Sequence, residues 1–296
     1  MTEPKLQHEI IKAGNLRMHA VIQGEGPTVL LLHGFPESWY AWRHQLPALA
    51  EAGYRAVAVD MRGYGETDMP PDVSDYHVDR LCEDVDNLIT ALSDQPVHLV
   101  AHDWGGAVAW MFAAQYPDRL KSLAILNAPH PRAFHHHIRH NFKQIRRSWY
   151  MAFFQLPWLP EFLLRLDAQK IFAKAFRGAS FRKEMFPDDV IDAFRLPMMR
   201  PGRLSAALNY YRALGRDLSN LERAKNFPDL SMPTMVIWAQ NDIALGPELC
   251  DGIDQYFLGH FELHTIARCS HWVQQEQPEQ VNKLLLDFLA DREKDQ

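Results

Sequence analysis

The sequence predicts an α/β protein: a doubly wound, mostly parallel sheet with a helical insertion acting as a lid. Three observations carry this. Short β-branched apolar runs recur with helical stretches between them. A turn rich in small residues joins the third run to a helix. The alternation then stops between Arg132 and Asp229 and resumes afterwards.

Taken in order, Met18 to Ile22 reads as an antiparallel first strand. Thr28–Leu32, Arg55–Val59 and Val97–Ala101 are apolar at nearly every position, the pattern of parallel strands buried on both faces. Leu123–Leu126 and Thr234–Trp238 extend the series, and Glu262–Ile266 is the expected last strand. In residues 132–229, His, Arg and aromatic side chains replace strand-like runs, and Pro157, Pro160, Pro187, Pro197 and Pro201 are expected to break the helices. The apolar content there (Phe153, Phe154, Trp158, Leu159, Phe162, Leu163, Leu164) is too high for a solvated tether and calls for something to pack against. The expected organisation is therefore a core domain of residues 1–131 and 230–296 with a lid of residues 132–229.

Composition narrows the function classes. With 47% hydrophobic and 23% charged residues, the chain is neither disordered nor fibrous. A net charge of -6 with only a local basic cluster, Arg139 to Arg147, argues against a nucleic-acid partner. Cys82, Cys250 and Cys269 lack the spacing of a zinc site or a disulfide framework, so free thiols in a reducing compartment are expected. Met1 to His8 contain no apolar signal-like stretch and no run is long enough to span a bilayer, which makes a cytoplasmic location the expectation. His135-His136-His137, with His140 one turn beyond His136, is the one metal-like pattern. It lacks an acidic or cysteine ligand and is read as a solvated lid entrance, so no metal or organic cofactor is expected.

The sharpest local signal is Ala101-His102-Asp103-Trp104-Gly105-Gly106. A nucleophile on a strand-turn-helix elbow sits in a strained conformation and needs small neighbours, here Ala101, Gly105 and Gly106, so that strand and helix can approach. The usual serine is replaced by Asp103. A carboxylate there would attack carbon and leave an ester, whereas a serine would attack a carbonyl. The competing reading is that Asp103 merely caps the following helix.

At this elbow the chain resembles the α/β-hydrolase superfamily, and within it the epoxide hydrolases and the haloalkane dehalogenases, which use an aspartate nucleophile. The resemblance spans nearly the whole chain, through His33-Gly34-Phe35-Pro36-Glu37, Asp60-Met61-Arg62-Gly63-Tyr64-Gly65, the elbow and Ser270-His271-Trp272, in family order. It implies an α/β-hydrolase fold. It also implies His271 as the base that activates water and Asp242, in Ala239-Gln240-Asn241-Asp242, as the acid that orients it. Some relatives carry the acid after the preceding strand, but that position holds Asn127, which cannot ionise. His33, Gly34 and Pro36 would support an oxyanion loop, with the Phe35 and Trp104 N–H groups as donors. The peptide before Pro36 is a candidate cis bond.

Epoxide opening generates an alkoxide and needs a proton donor; a departing halide needs only weak donors. Ser148-Trp149-Tyr150-Met151 and Leu208-Asn209-Tyr210-Tyr211-Arg212 resemble the lid segments that carry ring-opening tyrosines in epoxide hydrolases, so Tyr150 and Tyr211 are the expected acids, with Tyr210 the competitor for the second place. The nearest rival is a dehalogenase. Trp104 suits it, but haloalkane dehalogenases commonly have asparagine where Phe35 stands, and fluoroacetate-type enzymes have arginine where Trp104 stands. A third reading, a hydrolase-like module that only binds partners, would be favoured by loss of a catalytic residue, and none is lost. The expected substrates are water and an apolar or aromatic epoxide, turned over by a monomer or homodimer.

Overall fold

The computed structural model describes residues 6–217 and 219–294; Met1 to Lys5, within the stretch read as lacking a signal, lie outside the described residues. Among the described residues eight strands form one sheet in the order β1-β2-β4-β3-β5-β6-β7-β8: β1 (Gln7–Ala13), β2 (Leu16–Gln23), β3 (Thr28–Leu32), β4 (Arg55–Val59), β5 (Val97–His102), β6 (Leu120–Leu126), β7 (Thr234–Ala239) and β8 (Phe261–Ile266). From β4 through β8 every pairing is parallel. Strands β3, β5 and β7 are buried at every residue, which is why their sequences run apolar without alternation.

Six of the strands coincide with the predicted runs to within a few residues at their ends. The first strand is a correction. Met18 to Ile22 lies in β2, antiparallel to β4 as expected, but β1 precedes it and forms a hairpin with it. As an edge strand, β1 is mostly solvent-exposed and carries Glu9 and Lys12, so it has no apolar signature; charge on such an edge discourages pairing with another chain. Its signal is the turn Gly14-Asn15, where Gly14 has φ +59.

In the core, α1 (Gln45–Glu51) connects β3 to β4, while α2 (Val78–Leu92) and α3 (Trp104–Gln115) carry the chain back across β3 to β5 and β6. The direction of winding reverses between β3 and β5. Right-handed crossovers therefore place α1 on one face and α2 and α3 on the other, and leave a crevice at the carboxyl ends of β3 and β5.

Between β6 and β7 the described residues form eight α-helices and no strand: α4 (Pro131–His140), α5 (Phe142–Arg147), α6 (Trp149–Phe153), α7 (Leu159–Leu166), α8 (Ala168–Arg177), α9 (Asp188–Met199), α10 (Arg203–Arg216) and α11 (Ser219–Lys225). After β8, α12 (Val273–Glu276) and α13 (Pro278–Lys294) return to the sheet. Pro160 opens α7, where its missing N–H costs nothing, and Pro187 precedes α9. Pro197 instead lies inside α9, which continues through it to Met199. The expectation that the lid's apolar residues are packed holds for Phe154, which is buried, and fails for Trp158, Phe162 and Leu163, which are exposed. Among the described residues no helix is long and apolar enough to cross a membrane. The three cysteines are free and buried.

Candidate active site

The crevice is built by two loops forced together. Asp103, between β5 and α3, has φ 50 and ψ -118, a conformation that a non-glycine residue adopts only under constraint. A Cβ on Gly105 would stand 2.4 Å from the Leu32 carbonyl oxygen, and one on Gly34 would stand 2.3 Å from the Asp103 Cβ. Both positions must be glycine for the β3 loop to reach the elbow.

The Asp103 side chain makes no capping hydrogen bond to α3, which removes the reading of it as a helix cap. Its Oδ1 accepts from the Phe35 N–H at 2.8 Å, and its Oδ2 lies 3.4 Å from His271 Nε2. Trp104 is the first residue of α3, so its N–H has no acceptor within the helix.

His271 lies in the loop between β8 and α12, and its Nδ1 is 2.6 Å from Asp242 Oδ2. Asp242, in the loop after β7, is buried; it also accepts from Asn127 Nδ2 at 2.8 Å and from the Ala244 and Leu245 N–H groups at 2.8 and 3.0 Å. Asn127 (φ 40) in turn accepts the Ala239 N–H at 2.9 Å, so one amide ties the end of β6 to the end of β7 and to the acid. In the sequence alone Asn127 registers only as a group that cannot ionise. Its donor and acceptor are both used, so Asn127→Ala should cost about 2 kcal/mol of stability, measured as a shift of the urea unfolding midpoint, through an unpaired buried N–H and a less supported Asp242.

In the β3 loop, His33 Nε2 accepts the Met61 N–H at 3.1 Å and His33 Nδ1 donates to the Gly34 carbonyl at 2.8 Å, which holds the loop against the β4 loop. The Phe35-Pro36 peptide is cis. Glu37 and His102 brace this loop. Glu37 is buried and accepts from the Gly34 N–H (3.0 Å), Gln274 Nε2 (3.0 Å), Gln275 Nε2 (2.6 Å) and His102 Nδ1 (2.9 Å). The other ring nitrogen of His102 faces the His271 carbonyl at 2.9 Å. Glu37 and His102 thus join the oxyanion loop, the elbow and the histidine loop.

Electrostatics follow from this clustering. Burial alone would raise the Asp103 carboxyl, but His271, His102 and the Phe35 N–H outweigh it and hold it below the usual carboxylate range. Burial alone would lower His271; the charges and hydrogen bonds of Asp242 and Asp103 prevail and raise it well above an ordinary histidine. Both shifts favour a charge-paired site, with the imidazole drawn toward its charged form between two carboxylates.

Helices α6 and α10 bring Tyr150 and Tyr211 over this site. Their ring centroids are 5.9 Å apart, and Tyr211 stands edge-on to Trp104 at 4.9 Å and to Phe35 at 5.6 Å. Burial, and then the charge of Asp103, push both phenols upward, so they are neutral donors at physiological pH. The Tyr210 hydroxyl is committed elsewhere and donates to the Arg62 carbonyl at 2.8 Å. Asp103, Trp104, Tyr150 and Tyr211 line a cavity of about 180 Å³ that continues past Leu81, Met111, Phe134 and Leu214; Asp103 is the one ionised side chain in that lining. The His136 and His140 rings stack at 4.9 Å, and no group of three or more metal-ligating side chains is gathered among the described residues.

Comparison with known proteins identifies the family. The family model described as alpha/beta hydrolase fold matches residues 27–278. Human epoxide hydrolase 4 is 38% identical over 294 residues, covering 96% of this chain and 79% of that protein. Epoxide hydrolase 3 of Xenopus tropicalis is 37% identical over 297 residues, covering 96% and 78%. The crystal structure of the Bacillus megaterium epoxide hydrolase in complex with an inhibitor superimposes with a TM-score of 0.84 at 31% identity, covering 96% of this chain and all of that one. The chain belongs to the alpha/beta hydrolase fold family and, within it, to the epoxide hydrolases.

Proposed function

We propose that this enzyme converts an epoxide and water to a vicinal diol through an alkyl ester on Asp103. The observation that carries the reading is one cavity lined by two neutral phenols and by a strained aspartate that is within reach of a histidine-aspartate pair.

In this scheme Tyr150 and Tyr211 donate hydrogen bonds to the epoxide oxygen and one passes its proton to it as the ring opens. Asp103 Oδ2 attacks a ring carbon, because Oδ1 is held by the Phe35 N–H and becomes the carbonyl oxygen of the ester. Esterification removes the charge of Asp103 and with it one of the causes that raise His271. His271 then loses its resting proton to solvent and, steered by Asp242, takes one from the attacking water. The resulting hydroxide adds to the Asp103 carboxyl carbon while the Phe35 and Trp104 N–H groups hold the oxyanion. Collapse breaks the bond between that carbon and Oδ2, the diol leaves with Oδ2, its alkoxide takes the proton from His271, and the proton left on the Asp103 carboxyl returns to the tyrosinate, so that carboxylate and phenol are both restored. No metal or organic cofactor enters. His33, Gly34 and Pro36 act by shaping the loop.

The apolar lining supports an apolar or aromatic substrate. Residues 132–229 are read as a cap over a core of residues 1–131 and 230–296, a division supported by the run of helices between β6 and β7. A cytoplasmic location fits the free thiols.

Changing Tyr150 and Tyr211 together to phenylalanine tests the choice of substrate. Diol formation from a styrene-oxide-like epoxide should fall about 100-fold or more, the scale of lost general-acid catalysis, while thermal unfolding stays close to the parent. An unchanged rate would remove both phenols from the acid role. Halide release from haloalkanes without diol formation from epoxides would favour a dehalogenase.

A further inference from the structure

We propose that the outer face of residues 142–166 is a docking surface for an anionic lipid bilayer, on which the enzyme lies without spanning it. Phe142 (77% exposed), Trp149 (64%), Trp158 (70%) and Phe162 (54%) all project into solvent within this one stretch, together with Ile145, Leu163 and Leu166. Isolated exposed apolar residues are ordinary, whereas a run of large aromatic and aliphatic side chains is not.

Helix α7 gives the orientation. Its sequence, Leu-Pro-Glu-Phe-Leu-Leu-Arg-Leu, buries only Pro160. Glu161 points inward and pairs with both terminal nitrogens of the buried Arg212, at 2.7 and 3.0 Å. Phe162, Leu163 and Leu166, at the spacing of one helix face, are left outward. A helix on a water-facing surface has the opposite arrangement.

Charge selects the occupant. Of the nine Lys or Arg between Arg132 and Arg177, Arg132, Arg147, Lys170 and Arg177 pair with Asp229, Glu248, Asp167 and Asp188, which leaves five basic side chains without a carboxylate partner among the described residues, in a chain of net charge -6. Arg139, Lys143 and Arg146 are exposed, flank the aromatic residues and have no carboxylate partner among the described residues. Aromatic residues bordered by basic ones match the interface of an anionic bilayer, where rings sit at headgroup depth and each cation adds attraction. A second copy of the chain fits less well: a closed dimer through this face would set the basic cluster against its own image. Tyr150 lies on the same short helix as Trp149, so this surface adjoins the cavity wall. Docking on a bilayer is independent of the reaction assigned to that cavity.

Co-sedimentation of the full chain with vesicles of phosphatidylcholine containing phosphatidylglycerol, and of phosphatidylcholine alone, tests the surface. The parent should bind the mixed vesicles at low ionic strength, several-fold less with salt or without the anionic lipid. Trp158→Ser combined with Phe162→Ser should weaken partitioning about tenfold or more, because two buried rings are lost. Lys143→Glu combined with Arg146→Glu should weaken it by about tenfold or more, on the scale of the attraction per basic residue. Both pairs should melt like the parent and retain turnover of a water-soluble epoxide. The proposal fails if the parent does not bind the mixed vesicles, or if partitioning is indifferent to the serine pair. It also fails if the face instead holds a dimer that the serine pair dissolves, or binds duplex DNA in the absence of any vesicle binding.

Discussion

Asp103→Ala is expected to eliminate diol formation, lowering kcat on the order of 10⁵-fold or more, because both the nucleophile and the ester it would form are gone. The fold should tolerate the change. Asp103 does not cap α3, and alanine at the elbow relieves the burial of an ionised carboxylate, although it retains the strained φ of 50. A single-turnover experiment with excess enzyme should release no diol and show no mass added to the peptide that contains residue 103. Asp103→Asn separates charge from shape. It keeps an oxygen for the Phe35 N–H but removes one of the negative charges that raise His271, so the histidine should titrate at lower pH than in the parent when followed by NMR. A fully active Asp103→Ala variant would falsify the covalent mechanism. An unmoved His271 titration in the asparagine variant would break the electrostatic coupling between the two residues while leaving the nucleophile assignment to be judged by the alanine result.

What the sequence disclosed depended on whether a residue's role was local. The buried strands were legible because burial on both faces leaves an uninterrupted apolar run. The elbow was legible because its small residues are consecutive. Edge strand β1 was not, since a strand wetted on its outer face and bearing charge has no such run. Asn127 and Asp242 are far apart in the chain and meet only where β6 and β7 pair, so the amide that supports the acid looked like a mere absence of carboxylate. The same holds for Glu37 and His102, which link the β3 loop, the end of β5, the His271 loop and α12. Tyr210 and Tyr211 are neighbours in sequence, and the hydrogen bond from Tyr210 to the Arg62 carbonyl distinguishes them. The exposed apolar face of α7 ran against expectation because periodicity reveals which residues share a face, while the direction of that face is set here by the Glu161–Arg212 pair.

His271→Ala should give the complementary result: attack without release. Asp103 retains the Phe35 N–H and the nearby His102, two of the influences that favour its charged form against burial, although losing the largest influence that lowers it should move its titration upward. Ester formation should therefore survive while hydrolysis falls about 10³-fold, the scale of a lost general base. The result would appear as a burst of epoxide consumption equal to the enzyme present, and as substrate mass on the peptide containing Asp103. The pH dependence has a definite sign. In the free enzyme His271 is raised by both carboxylates, so its charged pairing stabilises the fold fully below the ordinary histidine range, and that contribution is lost as pH rises through the raised folded value. The alanine variant should lack this alkaline loss of stability in urea titrations at successive pH values. In the parent, the ester no longer presents the Asp103 charge, so His271 becomes a free base at lower pH in the intermediate than in the resting enzyme. The rate of ester breakdown, measured in single turnovers, should accordingly rise to its plateau at a lower pH than the His271 titration of the free enzyme. Coincidence of the two curves would mean that esterification does not release the base, and the histidine would then need another way to lose its proton.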